Sequence, residues 1–246
     1  MWNKPHLLNA IADLLMLVAG AALLAAAAVW LVRVPSLPVR HVVFTETLPH
    51  TKRGEVEQVL PQALKGNFFS LNLETVRGAL EKLPWVRKVD VRRQWPDRLE
   101  VLVEEHKPVA RWGEGRGELV NSFGEVFAAT LPEDEANGMP LLFGPLGTAP
   151  EVLKEYGELL GAFKAVGETP VQVTLSPRLA WALKLQNGML VDIGREQPKS
   201  PVGVRLARFI EVYPEMIAKR AVRPAVVDLR YPNGFAMRVA AEGKGK

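Results

Sequence analysis

No cysteine occurs anywhere in the 246 residues. That removes disulfide scaffolds, thiolate metal sites and cysteine nucleophiles, and it suits an oxidising compartment. Histidine is scarce as well. His6, His41, His50 and His106 stand apart, with no two at i, i+4 and no H-E-x-x-H, so no metal site is expected. The sequence also lacks G-x-S-x-G, S-x-x-K and P-loop patterns. The run from Gly113 to Gly117 alternates glycine with charge, but no helix start follows it, so it reads as a loop rather than a phosphate cradle. Glu104 and Glu105 are neighbours in a strand pattern and face opposite sides, a poor arrangement for paired acid–base work. The expectation is a protein without catalytic residues, cofactor or small-molecule substrate. A net charge of +4, with bases scattered among acids, permits a weak preference for anionic lipid but is no nucleic-acid footprint.

Long apolar runs are absent too, with one exception. Leu14 to Val32 carries no charged side chain, and as a helix these residues span about 28 Å, close to one hydrocarbon core. Trp2 and Trp30 lie near its ends, Asp13 marks its inner limit and Arg33 its outer one. A cleavable signal peptide is the competing reading, with alanines 25–28 as the small-residue site and Lys4 as the basic head. The run is longer than a usual signal core and continues past the alanines through Val29–Val32, which favours an uncleaved anchor. Lys4 on one side and Arg33 and Arg40 on the other leave orientation open. The sequence thus divides into a short tail at 1–13, a transmembrane helix at 14–34 and a folded remainder long enough for two domains.

Pro35, Ser36 and Pro38 form a stiff linker out of the membrane. Val39–Thr45 reads as a strand. Residues 51–64 read as a helix with Thr51 as N-cap, where Pro61 marks an end or a kink. Gly66-Asn67 is a turn, and Asn72 caps a second helix striped by Val76, Leu80 and Leu83 and stopped by Pro84. Residues 85–95 and 98–105 alternate as two strands joined at Gln94-Trp95-Pro96-Asp97. Strand, helix, helix, strand, strand makes a three-stranded sheet with two helices on one face.

From Val109 the pattern is mostly β. Short strands are expected near 118–120, 125–128 and 141–143, then an amphipathic helix over 151–166. A strand over 171–175 follows, and Asn187-Gly188 joins two alternating runs as a hairpin. A further helix carries Leu206, Phe209, Ile210 and Tyr213, with Pro214 near its end. The chain closes with a hairpin, 225–231 and 235–240, turning at Pro232-Asn233-Gly234. A strand that arrives last is often an edge, open to a partner's backbone. The pattern alone does not separate that role from a hairpin that only completes the sheet.

Several stretches in order resemble the FtsQ/DivIB family of bitopic bacterial division proteins. They are Leu83–Arg87, Val91–Asp97, Pro108–Trp112, Leu206–Pro214 and Val227–Tyr231, all following a single apolar span. The resemblance covers almost the whole chain. It implies an α+β protein: one N-terminal transmembrane helix, a POTRA domain (β-α-α-β-β) at 38–107 and a C-terminal, mostly antiparallel β domain with helices at 108–246. It also implies a cytoplasmic amino terminus, a periplasmic bulk, an inner-membrane location concentrated at the division septum, and a scaffold role that links early and late division proteins. The implied partners are FtsB and FtsL, bound through the last strands. Carried onto matching positions, the contact residues are Arg178, Arg230, Tyr231, Asn233 and Gly234, with Phe235 extending the same edge. Arg178 would fork onto a partner carboxylate and Tyr231 would serve as a rigid apolar anchor. The chain departs from the family at Phe235, where relatives often carry a small residue, and at Val239, which occupies a terminal tryptophan-like position. The alternative is a POTRA-containing periplasmic protein that handles or secretes unfolded chains; the roughly 140 residues after the POTRA unit are too few for its usual barrel.

Overall fold

A computed structural model describes residues 5–33, 38–114, 117–218 and 224–239. Trp2, Lys4, Pro35, Ser36 and Ala240 lie outside the described residues, as do Gly115 and Arg116 of the glycine-rich loop.

Helix α1 runs Pro5–Arg33. It starts nine residues before the expected span, because Pro5 suits a first helical position and Leu7, Leu8 and Ile11 extend the apolar set. Asp13 therefore lies within the helix rather than at its end. Every side chain from Leu7 to Trp30 is exposed, so no protein surface covers this 24-residue apolar stretch. Its length as a helix, about 36 Å, exceeds one hydrocarbon core. Lipid is the solvent that such a surface fits.

The chain divides into two compact units, Met1–Glu105 and His106–Lys246. In the first, β1 (His41–Phe44) is followed by α2 (Arg53–Ala63), α3 (Leu73–Leu80), β2 (Val86–Gln94) and β3 (Arg98–Glu105). The sheet order is β1-β3-β2, with β1 parallel to β3 and β2 antiparallel to it. Period-two alternation sends Leu99, Val101 and Val103 inward, where they are buried with Val89 against Val56, Leu60, Val76 and Leu80 of the helices. Asn72 caps α3 as the sequence predicts, its side chain accepting from the N–H groups of Glu74 (2.9 Å) and Thr75 (3.3 Å).

Thr51 does not cap α2. The N-cap is Lys52, without a side-chain bond. The Thr51 N–H instead donates to Glu105 Oε1 at 2.8 Å, a carboxylate 54 residues away at the end of β3. Pro61 does not end α2, which runs on to Ala63. In the last turn a proline forfeits only one intrahelical bond, which is why it is tolerated there.

The second unit holds one nine-stranded sheet in the order β12-β11-β10-β9-β8-β7-β4-β5-β6. Its strands are β4 (Pro108–Trp112), β5 (Glu118–Asn121), β6 (Val126–Ala128), β7 (Leu141–Phe143), β8 (Pro170–Leu175), β9 (Ala180–Leu185), β10 (Leu190–Arg195), β11 (Pro224–Asp228) and β12 (Ala236–Val239). Strand β4 and the short helix α4 (Glu133–Asn137) are additions to the sequence reading. Most neighbours are antiparallel, but β4–β7, β7–β8 and β10–β11 are parallel. Parallel neighbours need a crossover. Helix α5 (Ala149–Lys164) supplies the one from β7 to β8, and α6 (Val202–Ala218) the one from β10 to β11. Both helices share a core in which Phe163, Phe209, Leu183, Ile193 and Val227 are buried. The Asn187-Gly188 hairpin forms as expected. Asn187 accepts from the Met189 N–H at 2.9 Å and donates to the Tyr213 hydroxyl at 2.9 Å, which pins the turn to α6.

Candidate partner-binding edge

Strand β12 ends the sheet order and, among the described residues, pairs on one side only, with β11. One row of its N–H and C=O groups therefore faces away from the sheet. The register fixes what gathers at the end where β12 begins. Ala182, Asp192, Asp228 and Ala236 form one row across β9, β10, β11 and β12. Everything just before β9, just after β11 and just before β12 belongs to this end. It includes all six residues singled out by resemblance, although Arg178 lies more than fifty positions from the rest.

Arg178 sits in the tight β8–β9 turn, closed by Leu179 N–H to the Ser176 carbonyl (2.8 Å) and Ala180 N–H to Ser176 Oγ (3.0 Å). It is exposed, and among the described residues it makes no ion pair. Next to it Leu179 stands 59% exposed with a φ of 58°, an apolar side chain held outward by a left-handed backbone. Sequence reasoning missed Leu179, because nothing in Ser-Pro-Arg-Leu announces that conformation.

Arg230 is committed within the chain. Its Nε donates to Asp228 Oδ1 at 2.9 Å and its Nη2 to Oδ2 at 2.6 Å, a bidentate fork, and its backbone N–H reaches Oδ1 at 3.0 Å. Asp192 on β10 adds a carboxylate 3.4 Å from the same Nε. The Arg230 guanidinium holds the Asp228 carboxyl below the usual carboxylate range against the opposing pull of burial. The same hydrogen bond and the two aspartates raise Arg230 above its own ordinary value. The aliphatic stem lies across Gly194, where a Cβ would come within 2.7 Å of Arg230 Cγ and where φ is +82°. The alternation of Val226–Tyr231 places Asp228 on the same face as Arg230, while nothing in the sequence points to Asp192 or Gly194.

Tyr231 follows at 54% exposure. Pro232 accepts a hydrogen bond from Arg208 Nη1 of α6 at 2.7 Å, so the loop is tied to the helix as well as to the sheet. Asn233 is exposed. Gly234 has open space where a side chain would begin and no positive φ, so the backbone there does not demand glycine. Phe235 is half-buried. Its ring stands edge-on to Phe209, 5.6 Å between centroids, and packs on the core rather than into solvent. The end of the sheet thus presents Arg178, Leu179, Tyr231 and Asn233 outward, over a support made by Arg230, Asp228, Arg208 and Phe235.

An open cleft of about 730 Å³ lies elsewhere in this unit, lined by Arg111, Glu118, Leu119, Leu141 and Phe143 among others. No histidine or serine is among its described lining residues.

Residues 37–106 match the family model of the POTRA domain, FtsQ-type, and residues 110–230 that of the cell division protein FtsQ/DivIB, C-terminal. The second match stops at Arg230, one residue before Tyr231. The cell division protein FtsQ of Burkholderia pseudomallei (strain K96243) is 39% identical over 240 residues, covering 98% of this chain and 95% of that protein. The one from Nitrosospira multiformis is 36% identical over 243 residues, 97% and 99% of the two chains. That of Neisseria gonorrhoeae is 32% identical over 243 residues, 99% and 97%.

Proposed function

The chain belongs to the FtsQ/DivIB family of cell division proteins, and from that premise we propose that it is a non-catalytic scaffold of the division machinery, which captures the FtsB–FtsL pair by strand addition at β12. Its family gives it a role in cell division and division proteins as partners. The N-terminal apolar helix fits a single membrane span. The scaffold reading adds an orientation, with the amino terminus cytoplasmic and the two folded units periplasmic, and a concentration at the septum.

One observation carries this reading: a strand that among the described residues pairs on one side only begins beside an exposed set of side chains. Backbone pairing along β12 would supply affinity without sequence demands, and Arg178, Tyr231 and Asn233 would choose the partner. Arg230, exposed but forked onto Asp228, and Phe235, packed on Phe209, would keep that set in place before the partner arrives, which lowers the ordering cost of binding. Anchoring by α1 would then make later encounters at the membrane effectively intramolecular.

The test is a pull-down of the full chain in detergent with the periplasmic segments of FtsB and FtsL, comparing the parent with Tyr231→Ala. Binding by the parent and its loss in a variant that keeps its circular dichroism would support the edge. Equal binding by both would move the site away from Tyr231, and no binding by either would remove the proposed partner.

A further inference from the structure

The β2–β3 hairpin of the first unit ends at Gln94–Asp97, and Trp95 stands 78% exposed at its tip. So large an apolar ring adds nothing to the fold from that position. The tip also carries cations: Arg98 and Arg40 are exposed there, whereas Arg92 is held by Asp90, its Nε donating to Oδ2 at 3.1 Å and its Nη2 at 2.6 Å. Arg93 is used structurally. Its Nε donates to the Phe68 carbonyl at 2.8 Å and its Nη2 to the Leu71 carbonyl at 2.5 Å, which draws the α2–α3 loop to the same end. That loop presents Phe69, 44% exposed. The chain enters the unit here too, for the Arg40 N–H donates to the Asp97 carbonyl at 2.9 Å and His41 is in register with Arg98.

Chain length decides where this end can be. Arg33 is the last residue of α1, and the seven residues from there to Arg40 reach at most about 25 Å when fully extended. The tip is therefore tethered within reach of the bilayer surface from which α1 emerges. Tryptophan favours the headgroup zone, where its ring is half in hydrocarbon and its N–H stays wet. Arginines beside it are drawn by anionic lipid, and a tether raises the local concentration of so weak a contact.

We propose that the Trp95 tip, with Phe69 and the arginines Arg40 and Arg98 at the same end of the domain, is a membrane-surface contact that seats on anionic phospholipid. It is a second attachment beside α1 and sets the tilt of the POTRA domain on the bilayer. The inference rests on the single-span reading of α1.

The test uses the full chain in vesicles of phosphatidylethanolamine and phosphatidylglycerol that carry lipid brominated high on the acyl chain. Subtracting the emission of Trp95→Phe from that of the parent isolates Trp95. The expected difference spectrum is blue-shifted, quenched by the brominated lipid and shielded from acrylamide. Arg98→Glu, which keeps Trp95, should lose much of that quenching. A difference spectrum that is red-shifted, quenched by acrylamide and untouched by bromolipid would overturn the proposal. So would shielding that develops only when another division protein is added, since the tip would then be a protein contact. Flotation of parent and variants with the vesicles reports on α1 separately; its failure would overturn the span, and the tip contact with it.

Discussion

Arg230 folds back onto Asp228 two residues earlier, meeting both carboxylate oxygens at 2.9 and 2.6 Å, and Asp192 on the adjacent strand approaches the same guanidinium at 3.4 Å. The loop that leaves β11 therefore starts in a direction set by three charged groups on two strands. A fork of this kind is half exposed, so it contributes more to position than to stability. Asp228→Asn should leave the thermal midpoint close to that of the parent. Affinity for the proposed partner, the FtsB–FtsL segments, should fall by up to about tenfold, because the loop loses its fixed start. Calorimetric titration of parent and variant checks this, and an unchanged affinity would reduce the fork to surface decoration.

Acid should find a second carboxylate. Burial pushes Glu105 up, but hydrogen bonds from Thr51 and His50 outweigh it and hold the group below the usual carboxylate range. A depressed carboxylate contributes stability that is present above its unfolded value, about 4.3, and is lost as pH falls through the lower folded value. Glu105→Gln should cost about 1.5–3 kcal/mol near neutral pH, the range for hydrogen bonds to a charged acceptor. The deficit should shrink below about pH 4, where the parent loses the same bonds. Denaturant melts at several pH values read this directly. A deficit that stays constant across the range would assign the loss to packing instead.

The same carboxylate explains where sequence reading stops. Asn72 was legible as a cap because its bonds go two and three residues ahead, and Asn187-Gly188 was legible as a hairpin because the turn and both strands are local. Thr51 looks like a cap in sequence, but its partner, Glu105, lies on another element far along the chain. The edge position of β12 was legible from chain order. The parallel pairing of β10 with β11 was not, since it depends on α6 crossing the sheet face between them. In the candidate edge, resemblance points to Arg178, Tyr231 and Asn233 but not to the outward Leu179, while Asp192, Gly194 and Arg208 become visible only once register and crossover bring them beside Arg230 and Pro232.

Tyr231 and Phe235, four positions apart, should respond in opposite ways. Tyr231→Ala removes a ring that is already 54% exposed, so stability should hold while partner affinity drops by about 2 kcal/mol if it is an anchor. Phe235→Ala removes a ring packed edge-on to Phe209, so stability should fall by roughly 1–2 kcal/mol, with affinity lost through the turn it supports. Paired measurements of melting and binding separate the two. Equal losses of stability in both variants would mean that Tyr231 packs inward in solution.

Gly194 gives the sharpest separation of position from contact. It lies on β10 and is not among the residues proposed to touch the partner, yet the Arg230 stem crosses it so closely that an added Cβ would approach Cγ to 2.7 Å. Its φ of +82° adds a backbone cost for any L side chain. Gly194→Ala should therefore destabilise the β domain by about 1–2 kcal/mol and push Arg230 off Asp228. The side chain is flexible enough to move, so the fold should survive and the clash should be relieved at the expense of the fork. Loss of the fork would show as a rise in the Asp228 pKa toward its ordinary value, followed by carboxyl NMR, together with weaker FtsB–FtsL binding. If binding weakens with the Asp228 titration unmoved, Gly194 acts through the strand itself, and the positioning role given to Arg230 is wrong.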